Sequence, residues 1–186
     1  MITKPSLLKA NRQGFTLIVL IIVIILISVL AVSAFSRFSD NSGFAEYTYQ
    51  ARLISALRNM QTRAMFDTRA GYCFQINLDT STPAFGPPTL DYVTDTSTSI
   101  AATCNTDIDF TNADYLTTSA SEMNEEGISL SILPNVDLIG FDSLGRPINN
   151  SGTRICSAGC TITLTGETTV AICVESQGYI HVHACE

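Results

Sequence analysis

The feature that most constrains this chain is a long apolar stretch near its N-terminus. No charged residue occurs at positions 13–36, and residues 15–34 read FTLIVLIIVIILISVLAVSA. A helix of about 20 apolar residues crosses the roughly 30 Å hydrocarbon core of a bilayer. A cleaved secretory signal is the competing interpretation, but the apolar part of such a signal usually has only about 7–15 residues. The sequence therefore predicts a membrane-spanning helix over residues 15–36.

Charge sets the predicted orientation of that helix. Lys4, Lys9 and Arg12 precede it, without any acidic residue among them. The positive-inside rule then leaves the N-terminus in the cytoplasm and carries residues 37–186 across the membrane. The sequence therefore predicts a single-pass protein with an exported C-terminal domain.

Beyond Arg12 the chain is acidic. This part holds seven of the ten basic residues against all 17 aspartates and glutamates, and no lysine follows Lys9. Proteins that bind nucleic acid contact its phosphates chiefly through lysine and arginine, so the charge argues against a nucleic acid partner. Hydrophobic residues make up 46% of the chain and occur throughout it, which argues against disorder.

Six cysteines follow the apolar stretch, so all of them lie on the predicted exported side. An even number of cysteines in a small exported domain indicates disulfides, and fifteen pairings are open. Cys156 and Cys160 enclose only three residues, which suits a bridge across a tight turn; proximity in sequence would then join the other four in chain order. A zinc site is the competing hypothesis, since these two cysteines with His181 and His183 offer four ligands, but an oxidising compartment disfavours it. The six candidates are Cys73, Cys104, Cys156, Cys160, Cys173 and Cys185.

The residues at the start of the apolar stretch resemble a known signature. The segment QGFTLI, residues 13–18, follows a short basic leader and is similar to the cleavage signature of type IV prepilins. That resemblance implies removal of leader 1–14 by the prepilin peptidase, which cuts between Gly14 and Phe15 and methylates the amino group of Phe15. It also implies insertion into a bacterial inner membrane with a periplasmic domain. Assembly with other pilins through helix packing, at an inner-membrane assembly platform, would then place the protein in a pilus at the cell surface.

Val19 departs from the family pattern. Members of the pilin family usually carry a glutamate at the fifth position after the cleavage site, where it pairs with the N-terminal ammonium of a neighbouring subunit. Val19 occupies this position and cannot form that pair. A charge buried among apolar helices is costly unless it is paired. The resemblance therefore implies either a place at the filament tip or a low-copy subunit that tolerates the loss anywhere.

The next segment, residues 37–70, is predicted to continue as an amphipathic helix. Apolar residues recur at three- and four-residue steps, which indicates one buried stripe. Arginines lie largely off that stripe and predict a solvated face, and Gly71 is suited to cap the C-terminus. The stripe comprises Leu53, Ala56, Leu57, Met60 and Ala64, and the arginines are Arg52, Arg58, Arg63 and Arg69.

After Gly71 the pattern changes to the period of two that is typical of strands. Residues 72–78 predict the first strand, and residues 79–127, rich in Thr, Ser, Asp, Asn and Pro, predict a variable excursion with room for one or two short strands. Further strands are predicted at 128–132, 138–141, 161–164, 168–174 and 178–182. The predicted fold is α+β: a long N-terminal helix, half transmembrane and half amphipathic, packed on a C-terminal antiparallel sheet within residues 71–186.

Two later segments are similar to segments of particular pilins. Residues 141–147, FDSLGRP, resemble a turn of minor pilins and pseudopilins of the H type. Residues 172–180, ICVESQGYI, resemble the cysteine-bearing end of minor pilins of mannose-sensitive haemagglutinin (MSHA) pili. The resemblance implies a minor pilin that initiates or enters such a pilus and supports surface attachment. The alternatives are a minor pseudopilin of a type II secretion system, a tip adhesin with its ligand surface in residues 79–127, and an ordinary membrane-anchored protein.

The sequence predicts no catalytic arrangement. Cys173 with His181 or His183 is a formal nucleophile and base, but a disulfide is favoured for an exported cysteine. Three aspartates within residues 107–114 form a loose set of oxygen ligands that lacks the glycine and terminal glutamate of an EF-hand loop. A solvated acidic loop is therefore favoured over a Ca²⁺ site. We expect neither an enzyme nor a bound metal or cofactor.

Overall fold

The computed structural model of this chain describes residues 17–38 and 43–186. The chain divides into two compact units, Met1–Asp40 and Asn41–Glu186. The second unit holds both the amphipathic helix and the β-rich part, which therefore fold together. The predicted cleavage site between Gly14 and Phe15 lies outside the described residues.

The first helix, α1, spans Leu17–Phe38. It has 22 residues and contains neither glycine nor proline, the residues that most weaken or break a helix. It covers most of the predicted helix over residues 15–36 and ends two residues later. Within the part of the chain that the structure describes, no helix reaches the combination of length and apolarity that a membrane crossing requires.

The second helix, α2, spans Ala45–Phe66 and buries the predicted apolar stripe. It ends four residues before the predicted end, because the backbone at Asp67 becomes extended, with φ −97° and ψ 108°. The Asp67 carboxylate accepts a hydrogen bond from the Arg69 backbone N–H at 3.1 Å and from its Nη2 at 2.6 Å. Such local side-chain bonds compete with helical ones. Gly71, the predicted cap, lies outside the helix.

The described residues form eight strands in two antiparallel sheets, where the sequence predicted one sheet. The strands are β1 (Gln75–Asp79), β2 (Ala84–Gly86), β3 (Ser129–Leu133), β4 (Leu138–Phe141), β5 (Pro147–Ile148), β6 (Cys160–Thr165), β7 (Thr169–Val174) and β8 (Ile180–Val182). The first sheet has the order β2-β1-β4-β5 and the second has the order β3-β6-β7-β8. The single-sheet prediction was wrong because alternation identifies a strand but not its partner.

The hydrophobic core lies between α2 and both sheets. Leu53, Leu57 and Met60 of α2 are fully buried, as are Ile76 of the first sheet and Ile172 of the second. Full burial of an aliphatic side chain stabilises the fold by about 1.5–3 kcal/mol. Because α2 contacts strands of both sheets, it joins them into one domain.

The excursion after β1 contains more regular structure than the sequence suggested. Besides β2, it holds two six-residue helices, α3 (Ser97–Ala102) and α4 (Ala120–Glu125). A reciprocal capping box between Ser119 and Glu122 starts α4. Leu116 and Met123 are buried in the core. The excursion is therefore part of the folded domain and not only a surface loop.

Three disulfides form, which confirms the interpretation of the cysteines. They join Cys73 to Cys104, Cys156 to Cys160, and Cys173 to Cys185. Of the fifteen open pairings, the structure selects the one in chain order. The zinc hypothesis is wrong for this form, because the sulfur atoms of Cys156 and Cys160 are bonded to each other.

Candidate functional site

The candidate functional site is the apolar surface of α1. Every residue from Leu17 to Leu30 is exposed, and the exposed fraction is 74% for Leu17 and 67% for Leu30. This stretch of helix is about 21 Å long. Soluble monomers rarely expose a continuous apolar patch of more than a few hundred Å². The surface is therefore suited to lipid or to other apolar helices.

The polar and charged chemistry of this surface is minimal. Ser28 is the single polar residue in the stretch, and its hydroxyl donates to the Ile25 carbonyl oxygen at 2.8 Å. The hydroxyl is thus satisfied within the helix and does not require water. Val19 lies in the first turn of α1 and is 38% exposed. Its side chain adds to the apolar surface and offers no charge to a partner.

The arginines of α2 lie off the buried stripe, as predicted, but they also bind the rest of the domain. Arg52 Nη1 donates to Glu122 Oε1 at 3.1 Å and to Thr118 Oγ1 at 3.2 Å. Arg58 Nη2 donates to the Ile180 carbonyl oxygen at 2.8 Å. The first arginine holds the end of the excursion against α2, and the second holds β8. Sequence periodicity missed these contacts because the acceptors lie far away along the chain.

Arg63 takes part in a third contact between α2 and the excursion. Its guanidinium carbon lies 5.6 Å from the centre of the Tyr92 ring, a distance typical of cation–π contacts. The Tyr92 hydroxyl donates to the Cys73 carbonyl oxygen at 3.1 Å. Burial raises the pKa of Tyr92 to about 12, so the hydroxyl remains a donor at neutral pH.

Glu46 is a buried acid in the first turn of α2. It is only 2% exposed, and its Oε1 accepts a hydrogen bond from the Thr168 backbone N–H at 2.8 Å. That hydrogen bond from Thr168 lowers the pKa of Glu46, although burial opposes the shift. A negative charge in the first turn also interacts favourably with the helix dipole. Glu46 thus fixes the N-terminal end of α2 to the turn between β6 and β7.

Residues 141–147 form the turn that the sequence predicted. The Asp142 carboxylate accepts hydrogen bonds from the backbone N–H groups of Leu144 and Arg146, both at 2.9 Å, and pairs with the Arg146 guanidinium. Burial alone would raise the pKa of Asp142, but the Arg146 side chain and these N–H groups lower it. Gly145 has φ +76°, as the turn requires.

One amide of α2 joins this turn to a second turn. Gln61 Nε2 donates to the carbonyl oxygen of Gly145 at 2.8 Å and to that of Gly178 at 2.6 Å. Gly178 belongs to the hairpin between β7 and β8, whose turn the sequence also predicted. Gln61 therefore links the two segments that resemble pilin motifs.

The described residues bring one group of three candidate metal ligands together: Cys173, Glu175 and His181. Their ligand atoms lie within 4.8 Å of one another. The sequence favoured a disulfide at Cys173 over a role as nucleophile with His181 as base, and the structure confirms the disulfide, which joins Cys173 to Cys185. Sequence reasoning missed Glu175, which lies two residues beyond Cys173; the period of two in a strand could have found it. His183 and the aspartates of residues 107–114 are not part of the group.

Comparison with known proteins gives one remote structural likeness. No family model and no curated protein sequence matches the chain. Among solved structures, the type IV minor pilin FimU from Pseudomonas aeruginosa strain PAO1 matches with a TM-score of 0.42 and 12% sequence identity. The match covers 73% of this chain and 91% of the FimU chain.

Proposed function

We propose that this chain is a minor type IV pilin, a structural subunit that packs its N-terminal helix against other pilins. The observation that carries the proposal is the exposed apolar surface of α1 over Leu17–Leu30. It begins within the prepilin-like segment of residues 13–18 and precedes a disulfide-bonded α+β domain. A helix of this kind can be stored in lipid and can later bury the same surface in a filament.

The proposed processing and location follow from the leader. The basic leader stays in the cytoplasm, and the prepilin peptidase cuts between Gly14 and Phe15 and methylates Phe15. The helix is held in the bacterial inner membrane with the domain in the periplasm. An assembly platform then moves the subunit into a pilus. The role is structural and requires neither catalysis nor a cofactor.

The decisive test is the N-terminus of the protein purified from the membranes of its native host. We expect mass spectrometry to find a chain that begins with N-methylated Phe15. A chain that starts at Met1 or Ile2, in cells whose peptidase processes another prepilin, would contradict the proposal. A second prepilin of the same host, analysed in the same preparation, is the internal control that shows that the peptidase is active.

A substitution at Val19 tests the position of the subunit along the pilus. If the missing carboxylate restricts the subunit to the tip, Val19→Glu should raise the number of copies per pilus. Val23→Glu, one turn further along α1, is the matched control: an unpaired charge at the centre of a membrane helix costs about 2.5–3.5 kcal/mol and should reduce incorporation. Copies are counted by quantitative immunoblotting of sheared pili. An unchanged count in Val19→Glu would mean that the subunit tolerates the loss at any position.

We further propose that the filament is a pilus of the MSHA type. It is supported by residues 172–180, while the turn at residues 141–147 suits minor pilins and type II secretion pseudopilins alike. Deletion of the gene separates the two. Loss of pili and of surface attachment supports the pilus, whereas normal pili with loss of a secreted protein supports the pseudopilin.

A tip adhesin is the second candidate, and a cavity of about 710 Å³ in the excursion favours it. Asp79, Asp107 and Phe110 line this cavity, and Phe110 is 52% exposed. Deletion of the whole excursion is unsuitable because it would remove buried core residues. Phe110→Ala should instead abolish attachment and leave pili intact if the cavity binds a receptor. Tyr115→Ala, equally exposed but outside the cavity, is the control.

A further inference from the structure

The group formed by Cys173, Glu175 and His181 lies at the end of the second sheet. Cys173 on β7 is directly opposite His181 on β8, so both side chains point to the same face. Glu175 comes two residues after Cys173 and shares that face. Cys173 Sγ lies 3.6 Å from Glu175 Oε1. A cross-strand pair and a diagonal neighbour thus place sulfur, carboxylate and imidazole together.

The orientation of His181 is the one that metal-binding histidines adopt. Its Nδ1 lies 2.7 Å from the Val182 carbonyl oxygen. A carbonyl oxygen only accepts, so Nδ1 carries a hydrogen and Nε2 is the ring nitrogen that can act as a metal ligand. Histidine ligands of metals usually donate their other ring N–H to a carbonyl or carboxylate in this way. The Tyr179 ring stacks on the imidazole, with 5.1 Å between centres, and restricts its rotation.

His181 Nε2 faces an anion. It lies 3.3 Å from Glu175 Oε1. With Nε2 protonated the two groups form an ion pair, whereas with Nε2 unprotonated their lone pairs point at each other. A cation between them, either a proton or a metal ion, removes that repulsion.

Cys185 is held beside the group by contacts other than its disulfide. Its backbone N–H donates to Thr161 Oγ1 at 3.0 Å. The turn at Gly159 also lies against it, since a Cβ built on Gly159 would be 2.6 Å from Cys185 Sγ. The Cys185 thiol would therefore remain near Cys173 after the disulfide is opened.

We propose that the dithiol form of Cys173 and Cys185 creates a zinc site with Glu175 and His181. Two thiolates, one imidazole and one carboxylate are the ligand types and the number that tetrahedral zinc takes in proteins. In the disulfide form both sulfur atoms are bonded to each other, and only the carboxylate and the imidazole are available. The disulfide thus switches the site off, and its reduction switches the site on.

A dithiol reductant can open the disulfide between Cys173 and Cys185. The reductant closes into its own disulfide and passes two electrons and two protons to the sulfur atoms of Cys173 and Cys185. Zn²⁺ then displaces the two thiol protons, which leave to solvent. A newly exported chain whose cysteines are not yet oxidised reaches the same dithiol state without a reductant. This inference does not depend on the proposed role in a filament.

The test uses the full chain in detergent micelles, with Co²⁺ as a spectroscopic probe for the zinc site. We expect the reduced protein to bind Co²⁺ with a thiolate-to-cobalt absorption band, which Zn²⁺ then removes, and the oxidised protein to show no band. His181→Asn should weaken binding by roughly tenfold or more. His183→Asn is the matched control, because His183 lies outside the group, and it should bind like the wild type. Equal affinities of the two variants would overturn the proposal.

Reduction also frees the other four cysteines, so a second control is required. The double variant Cys173→Ser/Cys185→Ser retains those four and should lose the absorption band; retention of an undiminished band would overturn the proposal. A further measurement uses the wild-type chain, so it tests the proposal even if a variant does not fold. Zn²⁺ should slow alkylation of Cys173 and Cys185 in the reduced protein, as mapped by mass spectrometry. Uniform protection of all six cysteines, or of none, would count against the site.

Discussion

Gly178 is the residue at which we expect a single methyl group to have a large effect. A Cβ at this position would lie 1.9 Å from the Gly145 carbonyl oxygen and 2.7 Å from Gln61 Nε2. The turn at 141–147 would have to move away from the hairpin. That movement would break the two hydrogen bonds that Gln61 donates to the two turns.

The magnitude of Gly178→Ala has two parts. Gly178 has φ +91°, and a residue with a Cβ in this region costs about 1–2 kcal/mol. The two hydrogen bonds contribute about 1 kcal/mol each. We therefore expect the free energy of unfolding to fall by about 3–4 kcal/mol. Gly127→Ala is the matched control, because Gly127 has φ +66° but a Cβ there meets nothing within 4 Å.

The assay is thermal unfolding of the oxidised, detergent-solubilised chain, followed by circular dichroism. Gly127→Ala should lose only the free energy that a Cβ costs at positive φ, so the free energies of unfolding of the two variants should differ by about 2 kcal/mol. For a domain of this size each kcal/mol shifts Tm by about 2–4 °C, so Gly178→Ala should melt about 4–8 °C below Gly127→Ala. Equal Tm values would refute the reasoning, because the contact through Gln61 would then contribute nothing.

Two further stability predictions concern the buried acid and the disulfides. The pKa of Glu46 is lowered in the folded state by the hydrogen bond from the Thr168 N–H, so its contribution is present above the unfolded pKa of about 4.3 and is lost as the pH falls. Below that pH the wild type should lose stability more steeply than Glu46→Gln; parallel pH profiles in urea titrations would contradict this. Replacing the 73–104 disulfide by two serines should cost about 3.5 kcal/mol, against about 2 kcal/mol for the 156–160 disulfide, because the loops span 31 and 4 residues. Urea midpoints of the double variants should follow that order, and the reverse order would rule out loop entropy as the main cause.

Much of the fold was predictable because the patterns are local. The period of 3.6 identified the buried stripe of α2, and a short apolar run before a turn identified β4 at its observed bounds. The end of α2 was predicted four residues late, since Asp67 and Arg69 compete with the helix through their own side chains. α4 was missed although Ser119 and Glu122 provide a readable capping box.

The candidate site was predicted only in part. The apolar surface of α1 is visible in the sequence because it is one uninterrupted segment. The contacts of Arg52 and Arg58 were not visible, since their acceptors lie 66 to 122 positions away. Glu175 was overlooked although it lies two residues beyond Cys173, at the spacing of side chains that share one face of a strand.

By itself, the sequence determined the apolar helix, the acidic composition of the residues after it, the presence of disulfides and the α+β class. Each of these depends on composition or on neighbours within a few residues, where backbone geometry sets the period. Only the tertiary structure decided that there are two sheets, which of fifteen pairings the cysteines adopt, and that Arg58 of α2 meets the Ile180 carbonyl oxygen. These depend on which distant segments come together. Burial of the whole core selects that arrangement, and no single stretch of the chain encodes it.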